Sequence, residues 1–243
     1  MDRLTYDRMR ILQENHWWFR GRRSILTRLI GGLELPKPAK VLEVGCGPGG
    51  NLTMLRRFGD VVAMEPDAES RAYAADRMGV RVEAGFLPDD LPFEADSFDL
   101  VCAFDVIEHV DDDAASVRAL ARLIRPGGYF ATTVPGQPWM WSRHDELHHH
   151  KRRYRMRAYR ALFEGAGLRV VKASYFNALL FPTIAAVRAA KMLTRSKSAD
   201  DDSMPPEPLN GLLGGLFAAE RHWLARGALP FGVSIVLIAR RPS

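Results

Sequence analysis

The chain has 243 residues, 47% of them apolar, which is enough to fill the core of one sizeable α/β domain with additions. Its 34 Lys and Arg against 29 Asp and Glu give a formal charge of +5, suited to an anionic ligand or surface but well short of a strongly basic chain. Cys46 and Cys102 are the only cysteines, each expected in a buried strand or strand end, so a disulfide framework is excluded and a reducing compartment fits. No charged-then-apolar leader pattern opens the chain and no apolar run reaches the ~20 residues of a membrane span, so a cytoplasmic location is expected.

Residues 1–30 predict two helical pieces, the second over Glu14–Ile30, with Trp18, Arg22 and Leu26 at four-residue spacing on one face. Trp17, Trp18 and Phe19 either dock this helix on the core or make it the cap of a ligand, with Arg22 presenting a cation to a carboxylate. Gly31, Gly32, Pro36 and Pro38 end the helix, and a first strand is predicted over Lys40–Val44. It runs into Val41–Asn51, an apolar stretch turning sharply at Gly45, Gly47 and Gly49 toward a helix. A second strand, Val61–Met64, ends at Glu65-Pro66-Asp67, which completes a βαβ unit with an acid about 20 residues past the turn, as dinucleotide-type sites require. A helix over Ala68–Met78, a short strand over Arg81–Ala84 and a loop over Gly85–Pro92 come next.

Phe98–Phe104 is apolar enough for a buried parallel strand and leads into Asp105-Val-Ile-Glu-His-Val. A helix over Ala114–Ile124 stops at Pro126-Gly127-Gly128 and a strand over Tyr129–Val134 follows. This alternation predicts a doubly wound α/β sheet with ligands at the carboxyl ends of its strands. Beyond Pro135, residues 143–160 hold seven Arg or Lys against two acids, beside His144, His148, His149 and His150. Then come a helix over Met156–Gly165, a strand over Leu168–Ala173, an apolar helix over Phe176–Leu193 interrupted near its start by Pro182, and a Ser-, Asp- and Pro-rich flexible loop over Thr194–Pro208. A helix over Leu209–Arg226 and a final strand over Gly232–Ala239, pairing near the sheet edge, close the chain.

Alternate glycines in a strand-to-helix turn let a ligand approach the backbone, and the following helix offers free amides. A tight turn with a helix cap, or another kind of nucleotide site, has the same pattern. Glu43, Glu65 and the lack of a Gly-Lys-Ser or Gly-Lys-Thr cradle favour a ligand with a cationic portion over a pyrophosphate.

With these segments the chain resembles the class I S-adenosylmethionine-dependent methyltransferases. Glu43-Val-Gly45-Cys-Gly47-Pro-Gly49 matches their first motif, Leu91-Pro92-Phe93 with Ser97-Phe98-Asp99 the entry to the fourth strand, and Glu108-His109-Val110 with Arg125-Pro-Gly-Gly128 the later ones. The resemblance spans Val41–Pro135 and implies a Rossmann-like, seven-stranded sheet with an N-terminal helical lid and a helical insertion before the last strand. It implies S-adenosylmethionine as cofactor, leaving as S-adenosylhomocysteine. Gly45, Gly47 and Gly49, with Glu43 and Asn51, would hold the methionine portion, and Glu65 with Pro66 the ribose hydroxyls. Asp105 and the lid residues Trp18 and Arg22 complete the implied cofactor set. Many members carry an acid for the adenine amine where this chain has Phe86, so adenine recognition falls to Phe86, Leu87 and backbone groups.

A narrower resemblance links His16-Trp17-Trp18-Phe19, Arg22, Asp145, His150-Lys-Arg-Arg153-Tyr154, Asn177 and Pro230-Phe231-Gly232-Val-Ser234 to a bacterial subgroup acting in natural-product, sugar or cell-envelope pathways. One domain is expected over residues 1–243: a cap over 1–35, a cofactor-binding core over 36–135, and an acceptor lid with the remaining sheet and helices over 136–243. Methyl transfer needs mainly positioning, plus a base when the acceptor must lose a proton. His150 and His109 are the expected proton acceptors, with Tyr154 a third catalytic candidate, although a loop-bonding His109 and a solvated His150 are the bland alternatives. Asp145, Arg152, Arg153 and Asn177 are the expected acceptor-binding residues. The cluster His144, His148, His149 and His150, with helical spacing between the first two, invites a metal, yet none is expected, and a small anionic acceptor explains the Arg-rich run better than nucleic acid. The expected activity is O-methylation of a small anionic carboxylate, phenol or sugar. N-methylation of a small amine, or a non-catalytic assembly or membrane-surface role suggested by the apolar stretch Phe176–Val187, are the alternatives.

Overall fold

A computed structural model describes residues 3–194 and 203–243, so most of the loop expected over 194–208 lies outside the described residues. The centre is a seven-stranded sheet: β1 (Ala39–Val44), β2 (Gly59–Met64), β3 (Arg81–Glu83), β4 (Phe98–Phe104), β5 (Ile124–Pro135), β6 (Arg169–Phe176) and β7 (Ser234–Arg240). The spatial order is β3-β2-β1-β4-β5-β7-β6, with every pairing parallel except the two made by β7. The doubly wound, seven-stranded expectation therefore holds. β1 and β4 carry near-continuous apolar runs because helices cover both of their faces.

Neighbouring residues of a strand serve opposite faces. Leu42, Val101, Phe130 and Leu237 pack with Leu120, Tyr159 and Phe163 from α5 (Asp113–Leu123) and α7 (Met156–Gly165). Val41, Leu100, Tyr129 and Val236 pack on the other side with Ile25 and Leu26 of α2 (Trp17–Ile30) and Phe217 of α9 (Leu209–Leu224). The two expected N-terminal helices are α1 (Arg3–Asn15) and α2, divided where His16 caps α2 by accepting from the Trp18 amide at 3.3 Å. α9 crosses α2 so closely that a Cβ on Gly21 would sit 2.3 Å from the Phe217 ring. Asn210 Oδ1 accepts from the Trp17 amide at 2.8 Å, which ties the insertion before the last strand to the N-terminal cap.

Three boundaries differ from the sequence reading. β5 begins at Ile124, which pairs with Phe98, so Arg125-Pro126-Gly127-Gly128 is an irregularity inside a strand instead of the loop after a helix. Phe176 ends β6 opposite Ser234, and α8 (Phe181–Thr194) starts five residues later. Pro182 consequently lies in the first turn, where its missing N–H costs nothing, and does not interrupt a helix. Periodicity could not divide an apolar run shared by a strand and a helix. The last strand lies one place in from the edge, slotted between β5 and β6 with Ser234–Ala239 all buried. Cys46 and Cys102 are buried and unpaired. Among the described residues no helix is long and apolar enough to cross a membrane.

Candidate active site

A cavity of about 580 Å³ opens at the carboxyl ends of β1 and β4, where the strand order reverses. α1 and α2 cover it through Gln13, His16, Trp18 and Arg22, and α8 through Thr183, Ile184 and Val187. One end is built by the turn after β1. Gly45, Gly47 and Gly49 have φ of +66°, +52° and +88°, and a Cβ on Gly45 would meet Val106 Cγ2 at 2.6 Å, so both backbone conformation and space demand glycine there. The amides of Gly45 and Cys46 donate to the Met64 carbonyl at 2.8 and 3.2 Å, pinning the turn to the end of β2. Glu65 follows directly, buried, its Oε2 accepting from the Gly47 amide at 2.7 Å and its Oε1 from the Asp67 amide at 3.0 Å. Pro66, Leu87 and the exposed ring of Phe86 line this end as well.

Glu43 stands behind the wall, not on it. Asn51 Nδ2 donates to its Oε1 at 2.8 Å while Oε2 has no hydrogen-bond partner among the described residues, and burial lifts the carboxyl from an ordinary 4.5 to about 7 against the pull of Asn51 and Arg22. Asn51 Oδ1 accepts from Arg22 at 3.4 Å, and Arg22 also forms an ion pair with Asp105. The Arg22 guanidinium lies 4.5 Å from the centre of the Trp18 ring. Arg22, read from sequence as a partner for a ligand carboxylate, is thus one link of a Glu43–Asn51–Arg22–Asp105 chain along the cavity. Asp105 holds φ of +56° at the end of β4, and Asn177, at the end of β6, has the same value. Both line the cavity, as left-handed non-glycine residues at functional sites often do.

The other end is polar. Residues Ile107–His109 form a 3₁₀ turn after β4, and α6 (Arg143–Leu147) with residues 148–154 packs over it. Asp145 is completely buried and accepts from the Ser142 amide at 2.9 Å, from Arg153 Nε at 2.7 Å and lies 2.8 Å from His150 Nδ1. Burial alone would raise its pKa, but the His150 hydrogen bond and the Arg153 guanidinium hold it well below the usual carboxylate range. Burial lowers His150 despite Asp145, and it pushes His109 down to about 3 with help from His150 and His148. Both imidazoles are neutral at pH 7. Their ring centres are 4.8 Å apart. Arg153 Nη1 also donates to the Gly136 carbonyl at 3.1 Å, fixing a buried cation at the wall.

Of the residues expected from sequence, Trp18, Arg22, Gly45, Gly47, Asn51, Glu65, Pro66, Phe86, Leu87, Asp105, His109, His150, Arg153 and Asn177 meet around this one cavity. Glu43, Gly49, Asp145, Arg152 and Tyr154 stand off it. Gly49 packs against Leu52 and Ala74. Arg152 pairs with Asp113 at 3.0 Å and donates to the Val110 and Asp111 carbonyls. Tyr154 donates to Asp113 Oδ2 at 2.8 Å and packs on Tyr159, and burial raises its pKa, so its hydroxyl serves the core beneath α5. Sequence reasoning passed over Glu108, fully buried on the cavity wall, and Arg188, which reaches across from α8 to the Met140 carbonyl at 2.9 Å. The signal for Glu108 was an acid between an apolar strand and a histidine; Arg188 had none.

A family profile described as a methyltransferase domain matches residues 15–173. A Mycolicibacterium smegmatis protein named "Probable S-adenosylmethionine-dependent methyltransferase" is 32% identical over 128 residues, covering 52% of this chain and 48% of that one. The ubiquinone biosynthesis O-methyltransferase of Acinetobacter baumannii strain AYE is 37% identical over 108 residues, 41% of this chain and 45% of the relative. The matched stretch thus spans about half the length of these curated relatives. The fold is similar to a chain of the Haloferax volcanii complex between the Trm112 methyltransferase activator and its methyltransferase, with a TM-score of 0.64 at 19% identity over 98% of this chain and 95% of the other.

Proposed function

The chain belongs to the methyltransferase-domain family whose profile it matches, and we propose that it moves the methyl group of S-adenosylmethionine to an oxygen of a small, anionic acceptor. The observation that carries this reading is a single cavity with two chemically distinct ends, one built by the glycine turn and Glu65 and the other by Arg153, His109 and His150. The residues fit the cofactor. The turn at Gly47 leaves room at the cavity that a Cβ would fill, its nearest neighbour being Met9 Cε at 3.7 Å, and behind the wall stands Glu43, an acid that a cationic group in the cavity would draw toward its ionised form. Bound there, S-adenosylmethionine supplies an electrophilic methyl on a positively charged sulfur.

The rest falls to the chain. Glu65, already fixed by two amides, orients hydroxyls at one end, and Trp18 with the roof of α1, α2 and α8 excludes water. Arg153, immobilised by Asp145 and Gly136, draws an anionic acceptor toward the other end. The acceptor's proton leaves among Glu108, His109 and His150. An amine already carries its lone pair at high pH, so this buried proton-handling end favours oxygen over nitrogen. Trp139, Leu179, Val187 and Phe231 form an exposed apolar rim, with Phe181 and Phe231 rings 5.7 Å apart, which suits an acceptor that also carries an apolar portion and is met at a membrane surface. Within one domain over residues 1–243, the segment 1–35 acts as cap, 36–135 as cofactor core and 136–243 as acceptor lid. The resemblance of the His16–Phe19 and His150–Tyr154 segments to a bacterial subgroup of these enzymes supports assigning the chain to that subgroup.

Calorimetric titration of S-adenosylmethionine into wild type and Glu65→Ala tests the cofactor. Wild type is expected to bind and Glu65→Ala to bind at least tenfold more weakly; no binding by wild type removes the proposal. Labelled cofactor with a panel of carboxylic acids, phenols, sugars and amines then identifies the acceptor, and transfer to amines alone would refute the oxygen assignment.

A further inference from the structure

Three carboxylates lie buried or half-buried around the polar end of the cavity, and two of them have a guanidinium each. Asp105 pairs with Arg22, and Asp145 with Arg153. Glu108 has none. It is completely buried, and among the described residues neither of its oxygens meets a hydrogen-bond partner of normal geometry. An uncompensated carboxylate in such a place is costly, and it persists where something else balances it.

What lies beside it are two imidazoles. Glu108, His109 and His150 each bring one potential ligand atom into a group whose members are all within 4.8 Å of one another. Two ligands each about 2.1 Å from a tetrahedral ion stand about 3.4 Å apart, so small rotations would gather this set around one ion. Both rings are already oriented from behind. His150 Nδ1 is engaged by Asp145 Oδ1 at 2.8 Å, which leaves Nε2 for the cavity. His109 makes its own hydrogen bond to the backbone of His149. A carboxylate or carbonyl behind each ligating histidine is the arrangement that fixes tautomer and raises basicity in metal sites.

We propose that Glu108, His109 and His150 bind one divalent first-row transition ion, of the zinc or manganese type, at the acceptor end of the cavity. Two neutral imidazoles and one carboxylate give such an ion three ligands and leave open positions toward the cavity. An anionic or hydroxyl oxygen of the acceptor fits those positions, and an ion there lowers the pKa of a bound hydroxyl. His150 then acts as a ligand instead of a base, and the acceptor's proton, loosened by the ion, passes to bulk water as the acceptor enters. The sequence reading raised a metal at the cluster His144, His148, His149 and His150, resting it on the helical spacing of His144 and His148, whose ring centres are 4.3 Å apart and lie 6.0 and 5.8 Å from His150. That pair supplies no carboxylate.

The role at the acceptor end rests on the proposed methyl transfer; the binding of the ion does not, and the two are read separately. Chelator-treated full-length protein is titrated with Co²⁺ and followed by visible absorption, and with Zn²⁺ by calorimetry. One ion per chain with d–d bands of a nitrogen- and oxygen-ligated site is expected, as is a loss of Zn²⁺ affinity of at least 100-fold in E108Q. The proposal predicts retained affinity in H148A. No stoichiometric binding by wild type overturns it, as does E108Q binding as tightly as wild type, or a loss in H148A that equals the loss in E108Q. Should E108Q fail to give a wild-type circular dichroism spectrum, H109Q carries the same expectation and the same refutation. Titration of S-adenosylmethionine into the metal-free protein reports on the methyl-transfer reading alone, so a chain that binds Zn²⁺ but not the cofactor sinks that reading and leaves the metal site standing.

Discussion

Replacing Glu43 by Gln should change how stability depends on pH more than stability itself. The carboxyl is fully enclosed, holds one hydrogen bond from Asn51, and is lifted by burial from 4.5 to about 7. Because the folded chain holds this proton more tightly than the unfolded one, the contribution of Glu43 is fully present below about pH 4.5 and is lost as pH rises through 7. The slope is about 1.4 kcal/mol per pH unit over that window, and the total is about 3 kcal/mol. Glutamine does not titrate. Its amide oxygen can keep the Asn51 bond, while its NH₂ takes the place of an oxygen that has no partner now, at a cost independent of pH. Urea unfolding of both proteins at pH 5, 6, 7 and 8 without cofactor should therefore show the difference, Gln minus wild type, rising by about 2.5 kcal/mol from pH 5 to pH 8. All other titrating groups cancel in that difference. Parallel pH profiles would refute the claim that burial outweighs the compensation Glu43 receives from Asn51 and Arg22. With cofactor the sign reverses: a sulfonium favours the ionised acid, so Glu43→Gln should lose about tenfold in S-adenosylmethionine affinity at pH 8.

Arg22→Ala is expected to raise the S-adenosylmethionine dissociation constant about tenfold by calorimetry, since it releases Asp105 and Asn51 together; an unchanged constant would return Trp18 and Arg22 to packing alone. Gly45→Ala combines a φ of +66° with a 2.6 Å approach to Val106. It should cost about 2 kcal/mol or more in urea unfolding and weaken cofactor binding in parallel, and full stability would mean that the turn adapts. Asp145→Asn strips the buried Arg153 of its counter-charge, and about 3 kcal/mol should be lost, readable as a fall in melting temperature. Serine at both Trp139 and Phe231 should reduce co-sedimentation with anionic vesicles, whereas equal sedimentation of wild type and variant would dismiss the apolar rim as a membrane contact.

The local order of this chain was legible in its residues because each signal is local. The apolar runs at Val41–Val44 and Phe98–Phe104, the glycines that follow β1 and the acid that follows β2 need only periodicity, backbone freedom and spacing to be read, and they fixed the doubly wound core and one end of the cavity. The polar end was legible only as a list. His109, Asp145, His150 and Arg153 belong to a turn after β4 and a segment about forty residues later, and no spacing rule says which of their atoms face one another. Packing decided that Tyr154 and Arg152 turn to Asp113 while their neighbour Arg153 turns inward to Asp145. It decided also that Phe176 ends a strand, because its partner Ser234 lies 58 residues away in the chain. Glu108 shows the division most sharply. In sequence it is one acid among 29, and only the closure of α6 and the histidine segment over the end of β4 removes water from it, pairs every other nearby charge and leaves this one to two imidazoles.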